Sequence, residues 1–309
     1  MTMHYLQVCA VVKDERYLPE WIEYHRIVGV EHFYIYDGGA SPGASLEKQV
    51  REGFVTVIPF PGKAQQFNAY NHYLQNFKNT SRWVAFIDAD EFLVPTRSDD
   101  LRDLLRKYEG YGGLAVSWLV FGSSFYILRP KGTQIESYRL RRLYLPDMCS
   151  CVKSIVQANH AIAVNSAHTF VYEDGYICVN EKFQPISEAI AKNSVETIQL
   201  NHYFTRSLLD FVEKIRRGRA DIGGRRSLVE FFEMDHYANA VYDDTILRFL
   251  PELTNRLNRK AQDKRSWNRG WILRRLVYSI LFYPLRRRAL AVSNFAPLFA
   301  SDRETSCSQ

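Results

Sequence analysis

The first hundred residues alternate short apolar runs with segments whose apolar positions recur at helical spacing. Leu6-Gln7-Val8-Cys9-Ala10-Val11-Val12 is a run of the kind that a parallel sheet buries on both faces, and it ends in the polar Lys13-Asp14-Glu15. Leu18, Trp21, Ile22 and His25 then share one helical face, and Gly29 follows as a C-terminal stop. His32-Phe33-Tyr34-Ile35-Tyr36 predicts a second strand, running into Asp37 and the loop Gly38-Gly39-Ala40-Ser41-Pro42-Gly43. Val55–Ile58 predicts a third, ending at Pro59. A helix marked by Phe67, Tyr70, Leu74 and Phe77 precedes a fourth strand, Trp83-Val84-Ala85-Phe86-Ile87, which delivers Asp88-Ala89-Asp90-Glu91.

Strands joined by helices at this spacing predict right-handed crossovers and an open parallel sheet. Ligands bind such sheets beyond the carboxyl ends of the strands. Lys13–Glu15, Asp37 and Asp88–Glu91 all fall at such ends. After a helix at about Leu101–Tyr108 the chain turns strand-rich from Leu114 to Val179, and Val195–Leu200 reads as a further strand before His202. Ser207 and Asp210 match a capping box, Leu208, Phe211, Val212 and Ile215 form the stripe behind it, and Gly218 ends that helix. No linker divides the chain. It reads as one α/β domain over residues 1–250 with a helical, basic extension over 251–309.

Composition narrows the class. The 309 residues are 46% hydrophobic and 24% charged, which excludes a disordered chain and a polytopic membrane protein. Aromatic residues reach 14%, suiting either walls for a ring-shaped ligand or simply core. The net charge of +6 is unevenly placed: Pro251–Gln309 carry 12 Lys+Arg against 4 Asp+Glu, leaving 28 against 30 for the rest. A body at −2 argues against nucleic acid as a partner. Five cysteines without zinc-ligand spacing point to a reducing compartment. With neither a signal-peptide pattern nor a run of 18 apolar residues, the expected location is cytoplasmic, peripheral at the inner face of a membrane if the tail binds there.

Asp88 and Asp90, at i and i+2 on extended backbone, are expected to present both carboxylates on one side. Hard oxygen ligands suit Mg²⁺ or Mn²⁺, which keeps positions open for substrate phosphates. A lone pair of this kind also arises in any acidic loop; its place at a buried strand end is what gives it weight.

These residues also carry a resemblance. Val12-Lys13-Asp14-Glu15, Leu18-Pro19-Glu20-Trp21-Ile22-Glu23-Tyr24-His25, Gly29 and Phe33-Tyr34-Ile35-Tyr36-Asp37 resemble the opening of glycosyltransferase family 92 and of the bacterial family-2-like glycosyltransferases related to it. Trp83 to Pro95 is similar to the family's W-x-x-F-x-D-x-D-E-F-x-x-P block. Trp118, Phe121-Gly122-Ser123-Ser124, Lys153-Ser154-Ile155-Val156, His202-Tyr203, Ser207, Lys214 and Arg217-Gly218 follow in order. The resemblance implies a GT-A fold, Rossmann-like in its nucleotide-sugar-binding sheet. It also implies a nucleotide-sugar donor (a UDP-sugar), a divalent ion on Asp88 and Asp90, and inversion at the anomeric carbon. Donor binding then falls to Lys13, Glu15, Asp37, Asp88 and Lys153. The acceptor class is a saccharide or lipid-linked glycan. Two departures stand out: Asp37 is followed by Gly38-Gly39-Ala40 where the family has Asp-Asn-x-Ser-x-Asp, and Phe125 stands where a glycine is usual.

His202 is the expected third metal ligand, ahead of His168. An inverting transfer needs a general base, and Glu173 and Asp174 are the expected candidates, with Asp221 behind them. Glu91 is expected to support the metal or donor, and Lys153, Arg217 and Arg219 to offset diphosphate charge. Trp271 to Arg288, with Pro284 before Arg286-Arg287-Arg288, reads either as an interfacial helix on anionic lipid or as a helix packed back on the domain. Two other functions fit less of the chain: a metal-dependent phosphoryl-transfer enzyme using Asp88, Asp90 and Glu91, and a non-catalytic membrane-associated binding protein on a degenerate transferase fold.

Overall fold

The apolar run at the start forms β1 (His4–Val12), and its alternation sorts two cores. Leu6, Val8 and Ala10 join Trp21, Ile22, Phe33 and Trp83 on one face, while Cys9 joins Tyr34, Tyr70, Tyr73 and Phe86 on the other. Helix α1 (Leu18–Ile27) covers the first face and α2 (Gln66–Asn76) the second. The computed structural model describes residues 3–41, 43–145, 148–192, 194–218, 226–259 and 270–282.

Strands β2 (His32–Asp37), β3 (Val55–Pro59) and β4 (Ser81–Phe86) lie parallel with β1, as the sequence predicts, and pair in the order β3-β2-β1-β4. The sheet then stops being parallel. Only a tight turn separates β4 from β5 (Glu91–Pro95), and parallel neighbours need a crossover of a dozen or more residues. β5 therefore lies at the far edge, antiparallel to β8 (Ile198–His202), which runs parallel to β6 (Gly113–Val120). β7 (Cys149–Gln157) joins the halves, antiparallel to both β4 and β6. The result is a mixed α/β open sheet. His202 is the last residue of β8, so the strand near it starts and ends later than the sequence pattern placed it.

Helix α3 (Leu208–Arg217) is capped as expected: Ser207 Oγ accepts the Asp210 N–H at 3.1 Å, and Gly218 ends it at φ +79°. Helix α4 (Leu228–Tyr237) packs beside it, with Phe211, Phe231 and Phe232 buried together. At the boundary expected at residue 250, the helix Leu250–Arg256 buries Leu250 and Leu253 in the main core against α1. Residues 270–282 are helical and rest on the α3–α4 cluster through buried Tyr278. Among the described residues, Cys9, Cys151 and Cys178 are free. Among the described residues no helix is long and apolar enough to cross a membrane.

Candidate active site

Asp88-Ala89-Asp90 forms the turn between β4 and β5, closed by the Glu91 N–H donating to the Asp88 carbonyl at 3.0 Å. The extended backbone expected for it is absent, and each aspartate takes its own partner. Asp88 accepts from Lys153 Nζ at 2.9 Å and from Gln66 Nε2 at 2.7 Å. Asp90 accepts from Lys214 Nζ at 2.5 Å and lies 3.6 Å from His202 Nε2. Glu91 is fully buried beneath them; its carboxylate accepts the Asp88 N–H at 2.8 Å and stands 3.9 Å from Lys153. The lysines arrive from different elements, Lys153 from β7 and Lys214 from α3.

The end of β1 adds a second charge cluster. Glu15 accepts from Arg206 at 2.7 Å and from Arg217 at 2.9 Å. Buried Arg206 also lies over the Tyr17 ring and reaches the Ala89 carbonyl at 3.4 Å, tying the two clusters together. Asp14 (φ +49°) and Arg206 (φ +53°) both hold the left-handed backbone that favours glycine. Strain of this sort persists where surrounding structure over-determines it, often at functional sites.

These charges set one another's protonation. Burial alone would raise the Asp90 carboxyl, but Lys214, His202 and Arg206 outweigh it and hold it well below the usual carboxylate range. Burial opposes the Lys153 ammonium too, yet Asp88 and Glu91 keep it charged. Lys214 is less fully compensated, and burial brings it down to about 8 despite Asp90. Glu91 goes the other way: burial, with Asp88 and Asp90 adding to it, pushes its carboxyl well up against the pull of Lys153. Burial also lowers His202 and takes His168 down to about 4, where Lys153 contributes, so both imidazoles are neutral at pH 7.

Trp118, on β6, stands between the histidines, with ring centroids 4.3 Å from His202 and 5.5 Å from His168. Among the described residues His202 Nδ1 is buried without a partner, whereas His168 Nδ1 bonds the Val152 carbonyl at 2.7 Å. Beyond β6 the loop carries Ser124 and Phe125 at φ +49° and +62°. A glycine would take the Phe125 conformation without strain, which gives a physical reason for the residue usual in the resembling family. Here the phenylalanine ring packs on Tyr278 at 5.5 Å, and Asp235 holds the loop by accepting from the Ser123 N–H and hydroxyl.

The expected site residues divide. Asp88, Asp90, Glu91, Lys153, His202 and Glu15 come together, with Arg217 on Glu15. Asp37 gives both carboxylate oxygens to its own loop, accepting from the Gly39 and Gly43 amides at 2.8 Å each. A side chain at Gly39 would crowd the Asp14 and Asp37 carboxylates, which would have to shift to admit it. Lys13 is half-buried at the end of β1 and makes no ion pair among the described residues. Glu173 and Asp174, the expected candidates for the general base, are not among the residues brought together. Glu173 sits in an exposed turn against His160, just past the β7 residue that pairs with Trp83, at the opposite end of the sheet. Asp221 and Arg219 lie outside the described residues. The reading from sequence gave no role to Lys214, Arg206 or Gln66. Lys214 carried a signal, a lysine three residues after Phe211 on the buried stripe of α3; Arg206 and Gln66 carried none.

The family model for glycosyltransferase family 92 matches residues 4–214. A family 92 protein of Oryza sativa subsp. japonica is 31% identical over 186 residues, 57% of this chain and 31% of its own length. One of Ricinus communis is 28% identical over 187 residues, 57% of this chain and 33% of that protein. The chain belongs to glycosyltransferase family 92, a class of enzymes that transfer a sugar from a donor to an acceptor, and it spans about a third of the length of these curated relatives. Among solved structures, a putative glucose-1-phosphate thymidylyltransferase from Bacillus anthracis aligns at 11% identity and TM-score 0.31, over 85% of this chain and 99% of that one, too low to carry an argument.

Proposed function

We propose that this chain transfers a hexosyl group from a UDP-sugar to a hydroxyl of a saccharide or lipid-linked glycan, with inversion, on a GT-A type sheet. The observation that carries the reading is the pair of buried lysines, each on one aspartate of Asp88-Ala89-Asp90 at the carboxyl end of β4. Buried ion pairs are poor stabilisers, so two side by side support a site that manages charge. The transfer breaks the bond between the anomeric carbon and a phosphate oxygen, which keeps the electron pair, while the acceptor hydroxyl oxygen bonds to that carbon and gives its proton to a general base. Lys153 and Lys214 are placed to offset the charge on the departing diphosphate.

The donor set suits Mn²⁺ or Mg²⁺. Two carboxylates and a neutral imidazole with an unpartnered Nδ1 offer hard oxygen and nitrogen ligands. Among the described residues no three His, Cys, Asp or Glu side chains already enclose an ion. Such cations are commonly held by one or two carboxylates plus substrate phosphates, which a sparse site of this kind allows. Asp88 and Asp90 would hold it, with His202 beside Asp90. Bound there, the cation would supply further positive charge against the leaving group.

The test is UDP release from a panel of UDP-sugars with Mn²⁺. Release that depends on Mn²⁺ and disappears in Asp88→Ala supports the reading. Absence of release from every sugar nucleotide overturns it, and full release in EDTA removes the metal from it.

A further inference from the structure

The helix at residues 270–282 carries its aliphatic side chains on the outside. Tyr278 faces the body: buried, it donates to Asp235 at 2.8 Å, with its ring 5.5 Å from Phe125 and 5.3 Å from Phe282. The Arg274 guanidinium lies over the Tyr126 ring, on the same side of the helix. Ile272, Leu273, Leu276, Val277, Ile280 and Leu281 are all exposed, by 38% to 68%. At about 3.6 residues per turn these six cover one half of the helix surface, opposite Tyr278. A single exposed leucine is ordinary, but a contiguous apolar stripe marks an interaction surface.

Charge selects what covers it. Residues 251–309 carry 12 Lys+Arg against 4 Asp+Glu, on a chain whose first 250 residues are close to neutral. A second copy docked stripe to stripe would set this surplus against itself, because a two-fold interface pairs like with like. An anionic lipid surface meets both halves of the chemistry, the apolar stripe entering the acyl boundary and the basic surplus of the sequence attracted to the headgroups. Position adds to this. The helix rests on Ser124 and Phe125, in the loop after β6, and β6 is the neighbour of the strand that ends at His202.

We propose that residues 270–282 form a lipid-facing surface that seats this chain on an anionic bilayer with the candidate active site beside it. Its bearing on acceptors, which would then be presented at the membrane surface, rests on the transferase reading; lipid binding itself does not.

The experiment uses the whole chain and vesicles of phosphatidylcholine with or without phosphatidylglycerol. Leu276→Ser with Ile280→Ser changes exposed positions only, and an unaltered circular dichroism spectrum and melting temperature verify the fold. The expected result is co-sedimentation of the unsubstituted chain with the phosphatidylglycerol vesicles, and about a tenfold or greater fall in the double variant. UDP release with a soluble acceptor stays unchanged in that variant. Failure of the transferase reading would leave vesicle binding intact, which keeps the two separate. The proposal is overturned if the chain ignores phosphatidylglycerol vesicles, if the double variant binds as well as the unsubstituted chain, or if sedimentation velocity shows a dimer that the double substitution dissolves.

Discussion

The two ends of the sheet solve the same problem, burying polar groups beside β4, in opposite ways. At its amino end the groups are neutral. Tyr73 donates to Gln7 at 2.8 Å, Gln7 donates to the Thr80 carbonyl at 3.1 Å, and Gln157 donates to the Glu109 and Tyr111 carbonyls at 2.7 Å each. At its carboxyl end the groups are ionic: Asp88 with Lys153, Asp90 with Lys214, and Glu15 with Arg206 and Arg217. Amides that find carbonyls hold a fold at little cost. Buried ions lose several kcal/mol of hydration each, and their mutual attraction only repays it when geometry is good. The neutral end shows that polar groups beside β4 can be buried without ions, so the ionic end points to chemistry.

The sharpest way to break this contrast is Asp90→Ala. It strands Lys214 in the interior and is expected to cost about 3–5 kcal/mol in urea unfolding, with UDP release lost. Adding Lys214→Met removes the stranded charge, so most of the stability returns while release stays absent. Release from the double variant would make the pair structural. Lys153→Met comes next. It leaves Asp88 and Glu91 without their cation, and release is expected to fall about 100- to 1,000-fold; a fall of less than about tenfold would return Lys153 to a packing role.

A pH series separates buried carboxylates with and without a cation. Burial outweighs the amides of Gln134 and Ile135 and pushes the Glu20 carboxyl from 4.5 to about 7. The folded chain therefore keeps a proton that the unfolded chain releases, and this contribution falls as pH rises from 4.5 to 7, by roughly 3 kcal/mol, and then levels. Burial acts on Glu15 too, but Arg206 and Arg217 prevail and lower its carboxyl. Its contribution has the opposite sign, present above the ordinary carboxylate range and lost as pH falls through the lowered value. Glu20→Gln is expected to flatten the decline between 4.5 and 7 in chemical denaturation, and an unchanged slope would remove Glu20 as its source. The smallest effect is expected at the amino end. Glu173→Ala with Asp174→Ala should leave release unchanged and stability within about 0.5 kcal/mol; loss of release would restore them as candidates for the base.

Much of this protein was legible in its sequence. The apolar alternation of β1, the stripe of α1 and the Ser207 cap each express a local rule, so the parallel half of the sheet and the start of α3 fall where the pattern places them. Asp88 and Asp90 were legible for the same reason, since a polar cluster at the end of a buried strand can be read without knowing its neighbours. The mixed half was not, because β5 pairs with β8 across more than a hundred residues and nothing local names that partner. Which charges meet is also a tertiary matter: Lys153 reaches Asp88, and Lys214 reaches Asp90, only once β7 and α3 are packed. The same limit hid where Glu173 and Asp174 lie, for they stand on a strand-rich segment whose direction relative to β4 is set by pairing. Sequence determined the elements and the chemistry each carries, because periodicity and capping act over a few residues. Tertiary structure decided which end of the sheet each charge occupies, because ion pairs form between segments that only long-range packing brings together.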